Sequence, residues 1–134
     1  MHTKILMTLS AAFLAALGIA ATFLPQEIAA RYGAPAVSVP ATLLIQIAGA
    51  LYLAFAILNW TVRNSPIGGI YNRPVALANV VHFTIAAITL LKAALAHSAA
   101  NQFSRSPEII TVTVFYCAFA IWFGLVFTTH PIPK

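Results

Sequence analysis

The stretch Ala41-Thr-Leu-Leu-Ile-Gln-Ile-Ala-Gly-Ala-Leu-Tyr-Leu-Ala-Phe-Ala-Ile-Leu-Asn-Trp60 runs for 20 residues without an Asp, Glu, Lys or Arg. A helix needs about 20 apolar residues to cross roughly 30 Å of hydrocarbon. Its apolarity is continuous, whereas a lipid-facing barrel strand alternates. Backbone groups in lipid must pair internally, so the stretch reads as a transmembrane helix. Three more stretches of the same kind flank it: Ile5–Leu24, Val75–Leu91 and Ile109–Phe127. The third can extend past Lys92 to about Leu95, because a lysine stem reaches back to the interface. The predicted spans are therefore 5–24, 41–60, 75–95 and 109–127. Together they form a single transmembrane domain over residues 1–134, an all-α, up-down four-helix membrane bundle.

Composition agrees. The chain of 134 residues is 61% hydrophobic and 7% charged. So few charges cannot coat a soluble domain, whose surface is normally about a quarter charged or more. A cytosolic enzyme, a disordered tail and a coiled coil are excluded. The net charge of +5 is too sparse for an electrostatic stripe, so nucleic acid is not a partner. The single cysteine, Cys117, excludes a disulfide framework, a CxxC redox site and a cysteine-based zinc site. Met1–Lys4 and the apolar run after it resemble a signal peptide. Signal cores are usually about 7–15 residues, and the longer run favours an uncleaved first span.

The connections carry the charges. Pro25-Gln-Glu-Ile-Ala-Ala-Arg-Tyr-Gly33 reads as a short interfacial helix over about 25–32. Proline suits a first turn, Glu27 complements the positive end, Arg31 lies four residues on, and Gly33 and Pro35 close it. Pro66-Ile-Gly-Gly69 marks a turn, and the loop from Ala96 to Pro107 ends in Glu108 at the start of the last span. Lys4, Arg63, Arg73 and Lys134 fall on the side of the termini. Arg31, Lys92, Arg105 and both glutamates fall on the other. The positive-inside rule then places both termini in the cytoplasm, with a bacterial inner membrane as the setting.

Candidate chemistry centres on the third span. Asn79 and His82 are three apart and share a face, which Ala86, Thr89 and Ala93 continue. His82 lies seven residues past Val75, about 10 Å along the axis. A neutral imidazole there is one donor and one acceptor. With Gln46, Tyr52 and Tyr116, these residues are read as lining a pocket for a hydrophobic small molecule or lipid. The packing alternative is that the same groups hydrogen-bond between helices. Arg63 and Arg73 flank one short loop and are candidates for a phospholipid headgroup or another anion; otherwise they are ordinary flanking charge. Trp60 before Arg63 reads as an interfacial anchor. Ala12, Ala16 and Ala20, then Ala50 and Ala54, then Ala120 and Gly124 sit at helix-contact spacing, for packing in one bundle or in an oligomer.

Several chemistries find no residues. A bis-histidine haem needs two histidines within spans, and only His82 is so placed; His2, His97 and His130 are at ends or in loops. A cation-coupled exporter wants an intramembrane acid, a quinone–thiol enzyme wants paired cysteines, and a GxSxG nucleophile is absent. No metal cluster and no catalytic residue is assigned, and no cofactor is implied.

Phe23-Leu-Pro25, Tyr32-Gly33, Gly49-Ala-Leu-Tyr-Leu-Ala54, Arg73-Pro74, Asn79 and His82-Phe83 resemble features of the small four-helix bacterial membrane proteins of the DoxX-like type. The resemblance implies a four-helix inner-membrane bundle and no established reaction, some members being accessory subunits. The first functional reading is a non-enzymatic membrane protein, an accessory or assembly subunit that packs against other membrane proteins or itself. The alternative is a binder or carrier of a hydrophobic molecule or lipid. The third is a lipid- or quinone-modifying enzyme with His82 as acid–base and Arg73 on the headgroup. Those two lie nine residues, or about 13 Å, apart on one helix.

Overall fold

A computed structural model describes residues 3–31, 38–65, 72–95 and 106–129. The predicted turn at Pro66–Gly69, the stop at Gly33 and Pro35, most of the Ala96–Pro107 loop, and His2, His97, Arg105, His130 and Lys134 lie outside them. The architecture is all-α: α1 Thr3–Phe23, α2 Pro25–Arg31, α3 Val39–Val62, α4 Arg73–Leu95 and α5 Pro107–Thr129. Four of these, all but α2, are long and apolar enough to cross a membrane. The chain is a membrane protein.

Each long helix reaches about two residues past one or both ends of the apolar run that predicted it, and polar caps carry α3 and α5 on at their starts. The Ser38 side chain accepts from Ala41 N–H at 3.4 Å, with Pro40 in the first turn. Ser106 does the same for Ile109 N–H, with Pro107 first in the helix. Serine before a first-turn proline is a preferred helix start. Between α1 and α2 the hydrogen bonds Leu24 N–H to Ala20 O and Ile28 N–H to Leu24 O continue. The break falls at Pro25, which has no N–H to give. Several threonine hydroxyls along the spans are satisfied by their own helices: Thr89 donates to Ile85 O and Thr113 to Ile109 O, at 2.9 and 2.7 Å. In lipid no water would do this.

The helices group into two compact units, residues 2–64 and 65–134. In the first, α1 and α3 are antiparallel. Ser10 meets Asn59, Gly18 meets Gly49 and Thr22 meets Gln46, so one number rises as the other falls. A Cβ on Gly18 would stand 2.7 Å from Leu53 Cγ and 2.9 Å from Gly49 O. One on Gly49 would run into Thr22, whose backbone N is 2.7 Å away. Backbone therefore lies on backbone, the close approach that small residues permit in membranes. Of the small residues at helix-contact spacing, Ala12, Ala16, Ala50 and Ala54 lie outside the contact between α1 and α3. The buried stripe of α1 is Leu6, Met7, Ser10, Ala11, Leu14 and Gly18, which turns Ala12 and Ala16 outward; Ala50 and Ala54 are exposed too.

The second unit is an antiparallel α4–α5 pair built on aromatic rings. Phe83, fully buried, has Phe119 at 5.0 Å, Phe123 at 5.4 Å and Tyr116 at 5.5 Å between ring centroids. Phe83 and Phe123 stack within 11° of parallel. Gly124, at predicted contact spacing, would meet nothing within 4 Å if given a Cβ.

Candidate functional site

Helix α4 starts at Arg73 and α5 at Pro107, so His82 and Tyr116 each lie nine residues in. At 1.5 Å per residue that is about 13–14 Å, near the middle of each span. Antiparallel packing brings the two together: their ring centroids are 5.7 Å apart at a tilt of 54°. His82 also meets Phe83 edge-on at 5.1 Å. Tyr116 is buried and His82 half-buried. Imidazole and phenol can each donate and accept, so a polar patch sits inside an aromatic cluster. Asn79, a turn earlier on α4, is fully buried and donates from Nδ2 to Val75 O at 2.9 Å. Thr113, buried on α5 one turn before Tyr116, donates to its own helix. Cys117 follows Tyr116 as a free, half-buried thiol.

The other predicted pocket residues lie in the first unit. Gln46 donates from Nε2 to Thr22 O at 3.2 Å, which ties α3 to α1. Tyr52 is half-buried on α3. Arg63 and Arg73 belong to different units, and each is folded onto a ring of its own. The Arg63 guanidinium lies 3.8 Å above the Trp60 ring and donates to Trp60 O. That of Arg73 lies 5.1 Å from the Phe127 ring. Among the described residues no three His, Cys, Asp or Glu side chains converge as metal ligands would.

Three polar or close contacts escaped the sequence reading. Asn59 donates from Nδ2 to Ser10 Oγ at 3.1 Å, and Ser10 donates on to Met7 O; both side chains are fully buried. Gly18 is the second, and the buried Thr22 hydroxyl against Gly49 is the third. The signal was present: Met7, Ser10, Leu14 and Gly18 follow a spacing of three and four along one face of α1. No family model, no curated protein and no solved structure matches this chain.

Proposed function

We propose that this protein is a non-enzymatic subunit of a bacterial inner membrane, of the DoxX-like type, with both termini in the cytoplasm. It packs against other membrane proteins or itself as an accessory or assembly component. One observation carries the reading: small residues that the α1–α3 contact does not use face outward among large apolar ones. On α1 these are Ala12 and Ala16 between Leu9 and Ile19, and on α3 Ala50 and Ala54 between Ile47 and Ile57, all exposed. Shallow apolar grooves of this kind admit another helix closely. Native mass spectrometry of the protein gently extracted from its own membrane tests this. A defined larger complex is the expected result. A lone monomer that is stable in detergent would refute it.

A second reading has its own observation, the meeting of His82 with Tyr116 at mid-span beside buried Asn79. An imidazole and a phenol in an aromatic setting suit an apolar ligand with one polar end. On that reading the extracted chain carries a small-molecule adduct, and His82→Ala reduces its retention. Retention unchanged in that variant would remove His82 from the site.

A further inference from the structure

Charge in the α4–α5 unit is unevenly placed. Lys92 and Glu108 lie at one end of the antiparallel pair, and Arg73 and Phe127 at the other. Glu108 is 19 residues from Phe127 along α5, about 28 Å. Among the described residues the Arg73 guanidinium makes no ion pair; its recorded contact is the face of Phe127. An arginine in this setting sits where a span meets the headgroup layer. Its charge is partly withdrawn from water by the ring beside it, and no carboxylate among the described residues balances it. The Phe127 ring 5.1 Å away helps to localise the group at this end of the helix pair, and a guanidinium there can present paired N–H donors to two oxygens of one phosphate.

We infer that Arg73, held on Phe127, binds the phosphodiester of an anionic phospholipid at this end of the α4–α5 pair. A net-negative lipid is favoured because a zwitterionic headgroup brings its own cation to the phosphate. The first unit repeats the arrangement with Arg63 over Trp60, but there the guanidinium already donates to Trp60 O. Arg73 is therefore the stronger position.

The experiment is lipid titration by native mass spectrometry of the full chain in detergent, with phosphatidylglycerol, phosphatidylcholine and inorganic phosphate as probes. The wild type should hold phosphatidylglycerol in preference to phosphatidylcholine. Arg73→Gln should weaken that binding about fivefold, the scale of one basic residue at a membrane surface. Arg73→Lys should recover only part of it, and Phe127→Leu should lose part while keeping the charge. If Arg73→Gln does not purify as a folded species, Phe127→Leu decides. Undiminished binding in Arg73→Gln or in Phe127→Leu overturns the inference. So does full binding by Arg73→Lys, which would mean a diffuse field and no oriented fork. Displacement of the lipid by an equal concentration of inorganic phosphate would overturn the assignment to lipid.

Discussion

The α1–α3 and α4–α5 pairs are alike in length and apolarity and differ in what holds them. In the first, two glycines bring backbones into contact, and polar groups, buried Ser10 with Asn59 and part-buried Gln46 with the Thr22 carbonyl, tie the helices above and below. In the second, rings from Phe83, Tyr116, Phe119 and Phe123 fill the space. Lipid tails are as apolar as leucine, so burial by itself drives neither pair together. What remains is dispersion at close range and hydrogen bonding. One pair maximises these by removing side chains, the other by using the flattest and largest ones.

The largest effect should come from filling the glycine contact. Gly49→Leu forces its side chain into Thr22 and should destabilise the α1–α3 pair by about 3 kcal/mol, the upper range for overpacking. Reversible unfolding in bicelles reads this directly. Gly124→Ala is the control within the other pair. It meets open space, so it should leave stability unchanged or raise it by up to about 1 kcal/mol, the helix preference of alanine over glycine. Equal losses from both would end the contrast between the pairs.

Phe83→Ala comes next. It removes the ring that four others touch and leaves a cavity at the centre of α4–α5. The loss should be clear but below the ~3–5 kcal/mol of a soluble core, because in lipid the transfer term largely vanishes and the cavity term remains. Phe83→Leu should recover most of it if volume decides and little if ring stacking decides.

The four spans were legible because an apolar run of helix length has one solution in lipid. The run at 41–60 became a helix at Val39–Val62, its two extra residues at the start coming with a Ser38 cap that hydropathy ignores. Facing was less legible. In a soluble helix the polar side marks the outside; here both sides are apolar, and many alanines offer equivalent spacings. Which small pair meets depends on helix rotation, and the stripe through Ser10 and Gly18 sets it. His82 stood out as a titratable group deep in a span, and Tyr116 followed because antiparallel pairing matched their depths. The Ser10–Asn59 contact was hidden for the opposite reason: each is a common, uncharged residue, and only their meeting makes them informative.

That hidden pair supports a smaller prediction. Asn59→Leu leaves Ser10 to its bond with Met7 O and removes one hydrogen bond between helices. Side-chain bonds of this kind in membrane proteins average about 0.6 kcal/mol and reach about 1.7. Asn59→Leu should fall in that interval, well short of Gly49→Leu, if backbone proximity dominates the pair. A loss as large as that of the glycine variant would make hydrogen bonding the main attachment.

The smallest effect on the chain itself should come from Ala16→Leu and Ala54→Leu, and it separates fold from function. Both alanines are exposed and outside the α1–α3 contact, so unfolding free energy should move by no more than about 0.5 kcal/mol. Assembly is a different matter. If the outward grooves receive another helix, leucine fills the space that helix would occupy, as it would for Gly49 inside the chain. The complex extracted from the membrane should then shift toward the free subunit while stability stays put. An unchanged complex alongside unchanged stability would show that these faces meet only lipid, and the proposed accessory role would have to find another surface.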